Sequence, residues 1–94
     1  MGKYKHLDPK NLTVFITGAT AGFGKATAAR FLGSGARVIA TGRRGERLKE
    51  MKQEMGARLH TIKADVGNTT MMKDAIESLP EEFKNVDILV SEYI

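Results

Sequence analysis

Apolar residues recur along this chain in two alternating rhythms. Leu12-Thr13-Val14-Phe15-Ile16-Thr17 is apolar and partly β-branched, and Gly18 bounds it, which predicts a buried strand. The segment from Gly22 to about Ser34 predicts a helix carrying Ala26, Ala28, Ala29, Phe31 and Leu32, with Gly35 placed as its C-cap. Arg37-Val38-Ile39-Ala40-Thr41 predicts a second strand. In Gly45 to Met55, Leu48, Met51 and Met55 fall on one helical face, and Gly56 closes the segment. Leu59 to Ala64 alternates apolar and polar residues, as a strand does. Asn68 or Thr69 is placed to cap a third helix with Met72, Ala75, Ile76 and Leu79 as its apolar face, and Pro80 ends or kinks it. Val86-Asp87-Ile88-Leu89-Val90 predicts a fourth strand.

The order is β-α-β-α-β-α-β, joined by connections of a few residues. Short strands alternating with helices build parallel βαβ units with right-handed crossovers. Composition agrees: 94 residues leave room for one small domain, and 41% apolar content is ordinary for a globular one. The five methionines are expected in the core and on helix surfaces rather than as a binding stripe. No run of about 18 apolar residues spans a membrane. The first residues, Met1-Gly2-Lys3-Tyr4-Lys5-His6, lack the apolar stretch of a signal peptide. With no cysteine, disulfides and cysteine-based metal sites or nucleophiles drop out, and no metal site is expected. A cytoplasmic location is the expectation.

Charge changes the picture more. Residues 1–45 hold eight Lys/Arg and one acid, Asp8, for a net of +7. Residues 46–94 hold seven Lys/Arg and ten acids, for a net of −3. The basic first half points to an anionic partner, or to nothing more than a solvated basic surface. Residues 1–10 are expected to be a flexible basic lead-in to a domain over 11–94.

The densest functional signal is Thr17-Gly18-Ala19-Thr20-Ala21-Gly22-Phe23-Gly24, between the first strand and the first helix. Free N–H groups and the helix dipole favour an anion there, and glycines let a pyrophosphate approach the backbone. A Walker-type loop fits poorly, because Ala19 and Ala26 replace its first glycine and its Mg²⁺-binding hydroxyl. The dinucleotide spacing T-G-x-x-x-G-x-G is met at every position. A tight turn without a ligand would use the same glycines.

At the end of the second strand a dinucleotide fold places an acid for NAD, or basic residues for the 2′-phosphate of NADP. Here the chain reads Ala40-Thr41-Gly42-Arg43-Arg44-Gly45, with no acid before Glu46. Two arginines at a helix start oppose the dipole unless they share an anion with it, and a guanidinium fork suits a phosphate monoester. NADP is therefore expected over NAD, against the plain alternative of two surface arginines.

With these motifs in place, the chain resembles the N-terminal half of a short-chain dehydrogenase/reductase from about Asn11 to Val90. Thr17 to Gly24, Gly42-Arg43-Arg44, Asp65-Val66 and Asp87-Ile88-Leu89-Val90 carry the resemblance in register. Its look is closest to the NADP-dependent 3-hydroxy acid, serine-type branch. The resemblance implies a Rossmann-like, three-layer α/β half-domain whose parallel sheet runs 3-2-1-4, with the first two helices on one face and the third on the other. It implies that Thr17 braces the turn and that Gly18, Gly22 and Gly24 floor the pyrophosphate, with Phe23 toward the nicotinamide. It also implies that Arg43 and Arg44 hold the 2′-phosphate, and that Asp65 reaches the adenine amino group with the Val66 backbone beside it. The parent reaction would move hydride between NADP and a small hydroxy acid or carbonyl compound.

Two departures limit what is expected. Where the family reads Asn-Asn-Ala-Gly, this sequence reads Ser91-Glu92-Tyr93-Ile94. The family's Tyr-x-x-x-Lys pair is also missing, since the tyrosines are Tyr4 and Tyr93 and neither is followed by such a lysine. No catalytic residue is therefore assigned, and a truncated NADP-binding domain, inactive alone, is the expectation. The expected ligands are NADP(H) or other adenosine phosphates. An unpaired Val86–Val90 edge, or an uncovered sheet face, predicts a homo-oligomer. The alternative is an interaction module that uses that edge, or the Glu92-Tyr93-Ile94 tail, without catalysis. Nucleic-acid binding ranks below both, with no recognition helix or aromatic platform.

Overall fold

A computed structural model describes Lys10 and residues 12–18, 22–65 and 67–91. Residues 1–9 of the lead-in, Asn11, positions 19–21, Val66 and the 92–94 tail lie outside the described residues. The elements follow the alternating rhythms. They are β1 (Thr13–Thr17), α1 (Gly22–Gly33), β2 (Arg37–Gly42), α2 (Gly45–Met55), β3 (Leu59–Lys63), α3 (Thr69–Glu77) and β4 (Ile88–Ser91), with a 3₁₀ turn at Glu81–Phe83. The strands form one parallel sheet in the order β3-β2-β1-β4.

Strand alternation splits the core in two. Val14 and Ile16 of β1 and Val38 and Ala40 of β2 face α1 and α2, where they pack with Ala28, Leu48 and Met51. Phe15, Ile39 and Ile62 face the other way, toward Leu79 and Phe83, with Met72 and Ala75 of α3 packed against them. This is the expected division of helices between the faces.

Several details differ from the expectation. In α1 the buried positions are Gly24 and Ala28, with Phe31 and Leu32 half-buried, while Ala26 and Ala29 are exposed. Those four inward positions fall at i, i+4, i+7 and i+8, one face of a helix, whereas Ala26 and Ala29 lie off it. No residue of α3 itself is buried, and Ile76 is exposed. The helix stops at Glu77, before Pro80, which instead leads into the 3₁₀ turn that buries Phe83. Asn68 is the N-cap of α3, its Oδ1 accepting from the Met71 N–H at 3.0 Å.

Fourth-strand pairing starts later than Val86, which is exposed. Asp87 marks the boundary. Its N–H donates to the Thr13 carbonyl and its Oδ2 accepts from the Thr13 N–H, both at 2.9 Å. A carboxylate thus takes the place of a ladder carbonyl for the almost fully buried Thr13.

His60 lies on the α3 side of β3, its ring centroid 5.4 Å from that of Phe83. Burial, and secondarily the Lys52 ammonium, lowers its pKa below the usual histidine value, against an opposing pull from Glu82. A depressed folded-state pKa means the unfolded chain takes up the proton more readily. The stabilisation is complete above pH about 6.5 and is lost as pH falls through the folded-state value. Urea denaturation at stepped pH should show this decline, and His60→Gln should flatten it. An unchanged pH profile in that variant would remove His60 as the source.

Candidate functional site

The predicted site residues that the structure describes follow the carboxyl ends of β1, β2 and β3, the edge of an open α/β sheet where ligands bind. β1 ends at Thr17, whose hydroxyl donates to the Val90 carbonyl of β4 over a long 3.5 Å. Thr17 therefore links the two strands that flank the topological switch point. Gly18 follows at φ 68°, in the left-handed region that favours glycine. The chain then re-enters at Gly22, the start of α1. A Cβ built on Gly22 would meet nothing within 4 Å among the described residues. Gly24 is buried, on the face of α1 that also carries Ala28. Phe23 projects from the same turn and is 75% exposed.

β2 delivers the second group. Thr41 is buried, and its hydroxyl donates to the Ile16 carbonyl at 3.3 Å, tying the ends of β2 and β1 together. Gly42 is buried, and Arg43 and Arg44 are exposed. Arg44 is the N-cap of α2 and makes no side-chain capping bond. The first N–H groups of α2 are thus without the usual oxygen cap, at the positive end of the helix dipole.

β3 contributes Asp65. The Ala64 N–H donates to the Gly42 carbonyl at 2.9 Å, which holds this segment beside the arginines. Asp65 Oδ1 accepts from the Gly67 N–H at 2.9 Å, closing an Asx turn. The plain turn role is therefore real for one oxygen, and the exposed carboxylate keeps a second. Val66 lies outside the described residues.

Sequence reasoning missed Lys63. It pairs in register with Gly42 at the end of β2, and an added Cβ on Gly45 would come 3.2 Å from its Cδ. The alternation that puts Leu59 on the α2 side puts Lys63 there too, so the signal was present in the pattern. A glycine with open space beside it, exposed cations and a carboxylate along one strand edge can cradle an elongated anionic ligand carrying a hydrogen-bonding base. No cluster of His, Asp or Glu that could hold a metal ion occurs among the described residues, and no helix among them is long and apolar enough to cross a membrane.

The family model for short chain dehydrogenases matches residues 12–92. The chain belongs to the short chain dehydrogenase family. It is 49% identical over 80 residues to the NADP-dependent 3-hydroxy acid dehydrogenase of Escherichia coli strain K12, an alignment covering 85% of this chain and 32% of that protein. Among solved structures, the closed form of serine dehydrogenase complexed with NADP+ superposes with a TM-score of 0.81 at 49% identity, covering 83% of this chain and 32% of that one. A short chain dehydrogenase from Bacillus anthracis superposes with a TM-score of 0.84 at 39% identity, covering 92% of this chain and 36% of that one. The chain thus spans about a third of the length of these relatives.

Proposed function

We propose that this chain binds NADP(H) as the cofactor-binding portion of an oxidoreductase whose substrate is a small hydroxy acid or carbonyl compound. The observation that carries the reading is the end of β2, where Arg43 and Arg44 stand exposed beside the glycine turn and no acid occupies the selector position. The NADP-dependent relatives, and the one solved with NADP+, support the same cofactor.

The residues present fit that group. Gly18, Gly22 and Gly24 would floor the pyrophosphate, a role supported by the left-handed φ of Gly18 and the open space at Gly22, and Thr17 ties the end of β1 to β4 through Val90. Arg43 and Arg44 bind the 2′-phosphate, whose charge offsets their placement at the α2 dipole. Asp65 presents its free oxygen to the adenine amino group, and Phe23 extends toward the nicotinamide. The cofactor supplies hydride chemistry. Proton exchange at the substrate is assigned to no residue of this sequence; Tyr4 is followed four positions on by Asp8, not by a lysine. In a thermal-shift assay the chain should gain more stability from NADP than from an equal concentration of NAD. Equal shifts would sink the reading.

A second reading, self-association, is favoured by one observation. β4 is the last strand of the described sheet on its side, and Leu89 on it is 67% exposed. Apolar strand edges template pairing. Light scattering across a concentration series should report a dimer or larger species, and a monomer at every concentration would end this reading.

A further inference from the structure

We infer that Lys63 is a third phosphate-binding group, completing with Arg43 and Arg44 a cation cluster that selects adenine nucleotides bearing a 2′-phosphate. This rests on the NADP reading above and adds a determinant from β3, a strand that lends the reading only Asp65 and Val66, both beyond its last residue.

The argument begins with placement. Lys63 is the last residue of β3 and lies in register with Gly42, the residue before Arg43. Its exposed side chain runs across Gly45. A Cβ on Gly45 would sit 3.2 Å from Lys63 Cδ, 3.7 Å from Cε and 3.9 Å from Nζ. The missing side chain at Gly45 therefore makes room for the lysine arm. That arm carries the ammonium over the first residue of α2, next to Arg44.

Charge is the second observation. Among the described residues the ion pairs are Lys25–Glu54 and Lys84–Glu81, and neither involves Lys63, Arg43 or Arg44. Glu46, in the first turn of α2, pairs with none of the three. Three cations at neighbouring strand ends, none ion-paired with Glu46 or with the nearby Asp65, favour a shared anion. A phosphate monoester is dianionic and offers three acceptor oxygens, which match an ammonium with three donors and two guanidinium forks. A nucleotide with a free 2′-hydroxyl brings no charge to this cluster, so Lys63 discriminates rather than merely attracts.

The test is calorimetric titration of the full chain with NADP and with NAD, for the unmodified protein, Lys63→Ala, Lys63→Arg and Arg43→Ala. Lys63→Ala should weaken NADP binding about fivefold, the scale of an exposed ion pair, and leave NAD unchanged. Lys63→Arg should restore most of the loss. If Lys63→Ala binds NADP like the unmodified chain, or loses NADP and NAD equally, the Lys63 assignment is wrong. Arg43→Ala separates the two levels. Loss of NADP preference there, with none in Lys63→Ala, overturns Lys63 alone. An unmodified chain with no preference for NADP overturns both.

Discussion

Arg43→Ala is expected to weaken NADP binding about tenfold, or about 1.4 kcal/mol, while NAD binding stays nearly constant. A hydrogen bond to a charged group contributes about 1.5–3 kcal/mol when well formed. Arg43 is exposed, so water screening places the loss toward the lower end. The selectivity follows from position. Arg43 comes directly after the buried Gly42, whose place is fixed by β3 pairing and by the Ala64 N–H. The guanidinium therefore starts from a fixed strand end, and in the proposed binding mode it would meet the 2′ position, which bears a phosphate in NADP but not in NAD. Raising the salt concentration should narrow the gap between unmodified protein and variant, since screening removes the same interaction. Calorimetry at two salt concentrations checks both statements. A variant that still prefers NADP as strongly as the unmodified chain would remove Arg43 from the site.

Much of the fold could be read in the sequence, because its parts are punctuation. Gly45 and Gly56 bracket α2 in the sequence, and the helix runs over Gly45–Met55. Asn68 signals a cap by its residue type, and the cap forms. What escaped was what depends on neighbours distant in sequence. Phe83 sits among Glu81, Glu82 and Lys84, where no periodicity marks it, yet the turn after Pro80 folds it under β3 beside His60. Ile76 shares a helical stripe with Met72, Ala75 and Leu79, yet it is exposed while Leu79 is buried. Lys63 reads as the polar end of a strand until the parallel register sets it against Gly42. The departures thus lie where tertiary register, rather than local propensity, decides exposure.

The same contrast sets the largest expected change in stability. Ile39→Ala should cost about 2–5 kcal/mol, the range for truncating a large aliphatic side chain in a core. Ile39 is fully buried in β2, with Phe15 of β1 as its strand partner on one side and His60 of β3 on the other. Its side chain packs in the cluster with Phe15, Ile62, Ala64, Leu79 and Phe83, which closes the α3 face of the sheet. Removing three carbons there opens a cavity that parallel strands, held on both edges by hydrogen bonds, cannot collapse to fill. Small domains hold about 5–15 kcal/mol in total, so this one change consumes a large part of the reserve. Ile76→Ser is the control. Ile76 is 45% exposed, and surface changes of this kind fall within about 0.5 kcal/mol. Guanidinium denaturation followed by circular dichroism should separate the two variants by more than the error of extrapolation. The loss also reaches the site. Ile39 precedes Gly42 by three residues, and Ala64 of the same cluster precedes Asp65, so loosening that face frees both strand ends that carry the cations and the carboxylate. The stabilisation by NADP should shrink with it. Equal destabilisation by Ile76→Ser would mean that α3 packs far more tightly on the sheet than its exposed isoleucine allows.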